Sequence, residues 1–89
     1  MRAIITVLGD DKVGIIAKVS NFLAESKINI LDISQTIMQN VFTMIMLVDL
    51  SASDKKVKEI ADALDKCGDE LGVSISIKHE ELFNSMHRI

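Results

Sequence analysis

Hydrophobic residues follow two different periods along the first third of the chain. Residues 2–8 are rich in β-branched side chains and end at Gly9, which predicts a strand followed by a loop over residues 9–14. From residue 15 the apolar positions recur at i, i+1, i+4, i+7 and i+8, which predicts an amphipathic helix that ends at about Lys27. That stripe consists of Ile15, Ile16, Val19, Phe22 and Leu23. Asp10 or Asp11 is expected to cap the helix, because a carboxylate accepts hydrogen bonds from the free N–H groups of a first turn.

The middle of the chain has a period of two, which is typical of strands. Residues 28–39 alternate between apolar and polar side chains and predict a half-buried strand with Leu31, Ile33 and Ile37 on one face. Gln39-Asn40 predicts a tight turn with Asn40 at positive φ. Residues 41–50 are apolar on both faces, so this strand is expected in the middle of a sheet that is covered on both sides. One face has Phe42, Met44, Met46 and Val48, and the other has Val41, Ile45 and Leu47.

The last third predicts a second helix, a fourth strand and a helical tail. Residues 51–54 (Ser-Ala-Ser-Asp) are expected to cap the helix, which begins near Val57 and ends at Gly72. Residues 73–78 alternate again and predict a strand. The tail, residues 80–89, has apolar side chains at roughly helical spacing, and we expect them to pack on the sheet or on a partner subunit. They are Leu82, Phe83, Met86 and Ile89.

The element order β-α-β-β-α-β predicts an α+β fold. Short connections and right-handed crossovers give a ferredoxin-like sandwich, in which a four-stranded antiparallel sheet carries two helices on one face. The first and third strands are expected at the centre and the second and fourth at the edges. The chain of 89 residues fits one domain over residues 1–79, followed by the helical tail over residues 80–89.

Composition excludes several function classes. A net charge of −3 argues against nucleic-acid or anionic-membrane partners, since both surfaces would repel the protein. The single cysteine, Cys67, cannot form an internal disulfide, and no secretory signal or membrane-spanning run is evident. We therefore expect a soluble cytoplasmic protein with no cofactor. His79 and His87 lack metal-ligand spacing, and no catalytic triad or carboxylate pair is apparent, so neither a metal site nor an enzyme is expected.

The same fold supports many activities, so function depends on the site. RNA-binding members need aromatic residues on the central strands, where this chain offers only Phe42. Metal chaperones need paired cysteines in the first βα loop, and this loop has none. An acylphosphatase-like enzyme needs an arginine there to hold an anionic substrate, whereas the loop carries Asp10 and Asp11 beside a lone Lys12.

Two segments of the chain resemble the ACT-domain signature. They are Asp11-Lys12-Val13-Gly14-Ile15-Ile16-Ala17-Lys18-Val19 and Asn29-Ile30-Leu31-Asp32-Ile33. The pattern covers roughly residues 3–79 and departs at Val13, where many members have proline, which helix position N1 readily accepts. The chain end is similar to a family of stand-alone, uncharacterised bacterial and archaeal ACT proteins. The chain also resembles the N-terminal half of glycine-cleavage-system regulators.

The resemblance implies a regulatory module that binds an amino acid or a similar small molecule at a homodimer interface and acts on a downstream protein. The predicted ligand-binding residues, completed across the dimer, are Asp10, Asp11, Val13, Gly14, Ile15, Asn29 and Ile30. Gly14 gives a ligand close access to the backbone, the helix N-terminus attracts a carboxylate, and Asp10 or Asp11 attracts an ammonium group. Structural roles remain open: Gly14 as a packing glycine, Asp11 as an N-cap and Asn29 as a turn residue. An oligomerisation module without ligand is the alternative function.

Overall fold

A computed structural model describes residues 1–10 and 14–81, which form four strands and two helices. The strands are β1 (Arg2–Asp10), β2 (Asn29–Met38), β3 (Val41–Asp49) and β4 (Ser74–His79), and the helices are α1 (Ile15–Glu25) and α2 (Val57–Leu71). The sheet has the order β2-β3-β1-β4 with antiparallel neighbours throughout. The predicted ferredoxin-like βαββαβ fold, with β1 and β3 central, is confirmed. Of the predicted helical tail only Glu80 and Glu81 are described, and the rest of that prediction lies outside the described residues.

A single layer of apolar side chains fills the space between the sheet and the helices. The central strands contribute alternate residues to this layer. β3 is central as predicted, but the described residues cover only one of its two faces: Phe42, Met44, Met46 and Val48 are at most 4% exposed, whereas Val41 and Ile45 are 43% and 37% exposed. The strand residues are Ala3, Ile5, Val7, Phe42, Met44, Met46, Val48 and Ile75, and the helix residues are Ile15, Val19, Leu23, Ile60, Leu64 and Cys67. Burying each large side chain stabilises the fold by about 1.5–3 kcal/mol. Of the predicted α1 stripe, Ile16 is 40% exposed and points away from this layer.

Strand β1 is longer than predicted. It continues through Gly9 to Asp10, which pairs with Val41. A glycine is needed at position 9 because β1 passes very close to the residue before β4. A Cβ on Gly9 would lie 2.6 Å from Cγ1 of Val73. Glycine therefore permits a close approach here and does not end the strand.

Helix α1 ends two residues earlier than predicted, in a Schellman motif. Lys27 adopts a left-handed φ of 59°, and the Ile28 N–H donates to the Leu23 carbonyl at 2.9 Å while the Lys27 N–H donates to the Ala24 carbonyl at 3.1 Å. Ile28 and Leu23 are both buried, which provides the apolar contact that usually accompanies this motif. The motif redirects the chain into β2.

The predicted N-terminal cap of α2 is wrong, and so is Asp10 as the cap of α1. The N-cap of α1 is Gly14, which has no side chain, and Asp10 is the last residue of β1; Asp11 lies outside the described residues. The N-cap of α2 is Lys56, whose N–H donates to the Glu59 carboxylate at 2.9 Å. Ser51 and Ala52 instead form a turn, in which the Ser51 N–H and hydroxyl both donate to the Asp49 carboxylate. The predicted C-terminal end of α2 at Gly72 is confirmed, with a left-handed φ of 72°.

Strand β2 is not half-buried as predicted: the described side chains from Asn29 to Ile37 are all exposed. The strand lies at the sheet edge, and none of its residues belongs to the core beneath the helices. A β-bulge between Ile30 and Asp32 also shifts the register and leaves Leu31 without a pairing partner in β3, so the predicted regular alternation is interrupted at Leu31. The following turn is confirmed as a two-residue hairpin in which both Gln39 and Asn40 have positive φ.

Candidate ligand site

Gly14 has a conformational role that the sequence did not reveal. Its φ of 94° and ψ of −7° lie in the left-handed region, where a side chain would be strained. A Cβ built on Gly14 would meet no atom of the described residues within 4 Å. The proposed packing role therefore has no support, and alanine cannot add helix propensity here because the residue is not helical. Glycine allows the chain to turn into α1 and leaves open space beside the helix.

The N-terminus of α1 presents the backbone amides of its first turn next to Gly14. The first intrahelical hydrogen bond joins the Lys18 N–H to the Gly14 carbonyl at 2.9 Å, so the amides of Ile15, Ile16 and Ala17 precede it. No acidic side chain lies in the first turn of the helix. Such a terminus attracts a carboxylate through its N–H groups and the helix dipole.

The other predicted site residues divide between the two ends of the sheet. Asp10, at the end of β1, is level with Val41 and lies near the α1 N-terminus in sequence. Asn29 pairs with Asp49, which also pairs with Arg2 at the start of β1. Asp10 is eight residues beyond Arg2, which corresponds to roughly 26 Å along a strand. One chain therefore does not bring Asn29 and Ile30 together with Asp10 and Gly14, whereas Asp11 and Val13 lie outside the described residues.

Asn29 and Ile30 line a surface cleft of about 420 Å³ at the C-terminal end of α1. The walls also include Ser20, Leu23, Ala24, Lys27, Ile28 and Ala52. Sequence reasoning missed Lys27 and Ser20, because hydrophobic periodicity says nothing about polar residues around a helix end. A larger cleft of about 580 Å³ between α2 and β4 contains none of the predicted site residues.

Lys55 joins the loop before α2 to the C-terminal end of α1. Its ammonium group donates to the hydroxyl of Ser26 at 3.0 Å and lies 5.1 Å above the ring of Phe22. Ser26 is 1% exposed, so this bond satisfies a buried hydroxyl. The C-terminal end of α1, which leads into β2, is therefore joined to this loop by a polar contact.

The ionisable groups whose pKa values are shifted lie on the two helices and at the end of β3. Lys18 and Glu70 form an ion pair at 2.6 Å, and their mutual hydrogen bond raises the pKa of Lys18 and lowers that of Glu70. Hydrogen bonds from Ser51 lower the pKa of Asp49, and burial raises the pKa of the Cys67 thiol. None of these groups lies among the predicted site residues. Within residues 1–10 and 14–81, no cluster of three potential metal ligands and no helix suited to crossing a bilayer is found.

Comparison with known proteins agrees with the fold and the signature. The ACT-domain family model matches residues 2–78. A UPF0237 protein of Clostridium acetobutylicum is 64% identical over 89 residues, which are 100% of both chains. Among solved structures, an ACT domain protein from Streptococcus pneumoniae aligns with a TM-score of 0.82 and 41% identity over 93% of each chain. A putative glycine cleavage system transcriptional repressor aligns with a TM-score of 0.75 and 25% identity, over 86% of this chain and 44% of its own.

The extent of these matches determines the classification. The family model spans nearly the whole described fold, and the clostridial relative matches from end to end. ACT domains are regulatory modules that bind ligands. This chain belongs to the ACT-domain family and, with its relatives, to the UPF0237 proteins.

Proposed function

We propose that this protein is a non-catalytic sensor of an amino acid or a similar zwitterion, which binds between two copies of the chain. The observation that carries the proposal is the separation of the site residues along an exposed edge strand. Asp10 and Gly14 lie at one end of the sheet, Asn29 and Ile30 lie at the other, and β2 runs the whole distance between them.

Antiparallel pairing of two β2 strands would complete the site. Met38, at the end of β2, is level with Val41 and therefore with Asp10. In an antiparallel pair along the full strand, the partner's strand begins where this one ends. Asn29 of the partner subunit then comes level with Asp10 and the α1 N-terminus, and the arrangement repeats at the other end by two-fold symmetry.

Strand β2 has the properties of a pairing edge. Of its ten residues only Asp32 is charged, and it contains neither lysine nor proline, the usual features that protect an edge strand. Ile30, Ile33 and Ile37 are 40%, 42% and 59% exposed. Pairing with a second copy would bury these side chains and satisfy the free backbone groups of the edge.

The combined site offers complementary groups for a zwitterion. The first-turn amides of α1 suit a carboxylate, and the carboxylate of Asp10 suits an ammonium group. The side-chain amide of Asn29 supplies both a donor and an acceptor from the facing copy. Each of these groups can hold a ligand through hydrogen bonds or opposite charge, which supports binding as the function. We place this activity in the cytoplasm, with a downstream protein as the recipient of the signal.

Thermal unfolding with a panel of amino acids tests the proposal. A ligand at about 100 times its Kd stabilises a single-site protein by roughly 2.7 kcal/mol, which is a shift of several degrees for a domain of this size. Asn29→Ala should abolish the shift without changing the melting temperature of the free protein, because its side chain is exposed. Asn21→Ala, at an exposed position on α1, is the matched control and should respond as the wild type does.

The alternative, an oligomerisation module without ligand, gives a different result in the same assay. It predicts a dimer whose melting temperature depends on protein concentration but on no member of the panel. An equal ligand shift in Asn29→Ala and in the wild type would remove the cross-subunit site while leaving ligand binding elsewhere on the domain.

A further inference from the structure

The cleft at the C-terminal end of α1 adjoins Asn29, one of the residues that we propose to hold the ligand. Its volume of about 420 Å³ lies within the range of roughly 300–1,000 Å³ that is typical of small-molecule sites. Most of the residues that line it are apolar, namely Leu23, Ala24, Ile28, Ile30 and Ala52. A ligand held by Asn29 therefore has an apolar recess beside it.

The apolar walls of this cleft are open to solvent, although the fold directs them inwards. Leu23 and Ile28 are 0% and 5% exposed and belong to the core, so they form the floor. Ile30 pairs with Val48, a core residue of β3, and its side chain therefore points to the helix side of the sheet. It is nevertheless 40% exposed, and Ala24 on α1 is exposed as well. The cleft thus offers apolar surface that the chain itself leaves uncovered.

The charges around the cleft disfavour an ionised side chain in it. None of the residues that line it is acidic, and Lys27 is the one basic residue among them. Lys27 would repel the side chain of a basic amino acid. Because Lys27 is exposed, an ion pair with an acidic side chain would add little affinity. The lining therefore suits an uncharged, apolar group.

We infer that the ligand is an amino acid with an aliphatic side chain, such as valine or leucine, and that this side chain lies in the cleft. This assignment rests on the proposed function, in which Asn29 of one copy and Asp10 with the first turn of α1 in the other hold the polar groups of the ligand. The cleft then supplies the selectivity, since one methylene in an apolar pocket changes discrimination by roughly 10–200-fold.

Calorimetric titration of the wild-type protein compares amino acids of similar shape. L-Threonine has nearly the shape of L-valine, and L-asparagine and L-aspartate have nearly that of L-leucine, but each carries polar atoms. We expect the best of L-valine, L-leucine and L-isoleucine to bind about tenfold or more tightly than these three and than L-lysine. Any other amino acid that binds as tightly as the best aliphatic one would overturn the aliphatic assignment and leave the proposed function standing. Binding of no amino acid at all would overturn both.

Filling the cleft tests where the side chain lies. Ala24→Leu adds bulk to one wall at an exposed helical position, where leucine is well tolerated. It should lower the ratio of the affinity for the best aliphatic amino acid to that for glycine by about tenfold or more. Ala52→Leu fills the cleft from the loop after β3 and should act in the same direction.

Asn21→Leu is the matched control, because it adds a leucine to α1 at an exposed position that does not line this cleft. It should leave the ratio of aliphatic to glycine affinity as in the wild type. The melting temperature of each variant without ligand shows that it is folded. An unchanged ratio in folded Ala24→Leu and Ala52→Leu would mean that the side chain lies outside the cleft and would overturn the inference.

Discussion

The two edge strands of the sheet differ in almost every property that governs pairing. β4 has six residues, carries Lys78 and His79, and contributes Ile75 to the core at 5% exposure. β2 has ten residues and a single charge, and it contributes nothing to the core. The core under the helices thus includes a residue of β4 but none of β2, and the exposed β2 is the edge on which we propose that a second copy pairs.

The largest expected effect is on association through β2. Ile33→Lys places a charge near the centre of the proposed strand pair, where the same lysine of the partner would approach it, and such like-charge contacts cost several kcal/mol. We expect the variant to sediment as a folded monomer at about 10 μM. At this concentration a wild-type dimer with a dissociation constant of about 1 μM would remain mostly dimeric. Val57→Lys, at 41% exposure compared with 42% for Ile33, should remain dimeric. A dimeric Ile33→Lys protein would mean that β2 is not the interface.

A smaller effect, on folding itself, is expected beside β4. A Cβ on Gly68 would lie 2.7 Å from the backbone oxygen of Val73, which cannot move without shifting the start of β4. Gly68→Ala should therefore destabilise the domain by about 1–3 kcal/mol, measured by chemical denaturation. Asp62→Ala, at an exposed position of the same helix, should change the free energy of unfolding by less than about 0.5 kcal/mol. Gly68→Ala at wild-type stability would show that α2 and β4 can separate easily.

The contrast between the edges also explains how far sequence could predict the structure. Periodicity identified all six elements, because the apolar residues of the core repeat at the period of each element, and short connections with right-handed crossovers then predicted which strands are central. It failed to predict the exposure of β2, since an alternating apolar pattern does not show whether the chain itself covers the apolar side chains. Gly9 and Gly14 look alike in the sequence. One permits a close approach to Val73, and the other provides a left-handed turn.

The candidate site was less predictable than the fold. The ligand residues were chosen from motif resemblance, and only the strand register shows that Asp10 and Asn29 lie at opposite ends of the sheet. Lys27 was missed as part of the cleft because its place depends on the left-handed turn after α1. Distances of this kind are set by tertiary pairing and have no local signal in the sequence.

The hairpin between β2 and β3 allows a smaller test, since β2 joins the sheet only through β3. Gln39 has a φ of 50°, a conformation that asparagine tolerates better than glutamine. Gln39→Asn should raise the free energy of unfolding by about 0.5 kcal/mol. The same substitution at Gln35, an exposed strand position, should be neutral or slightly destabilising. Equal responses at both positions would argue that turn conformation does not limit the stability of the β2 edge.

The smallest expected effect concerns the ion pair that joins α1, whose end leads into β2, to α2, which packs beside β4. The Lys18 hydrogen bond lowers the pKa of Glu70 from its ordinary value of 4.5, so the pair stabilises the fold above that pH and loses its effect as the pH falls through the lowered value. The raised pKa of Lys18 means a second loss only as the pH rises beyond 10.5.

Glu70→Gln should therefore lower the melting temperature slightly at pH 7 and low salt. The difference from wild type should vanish in strong acid and at about 1 M salt, because both side chains are exposed and salt screens them. Glu25→Gln, on the exposed surface of α1, is the matched control for removing a carboxylate. A difference between Glu70→Gln and wild type that persists below the lowered pKa would show that Glu70 acts through packing and not through its charge. The two helices would then be coupled by packing contacts alone.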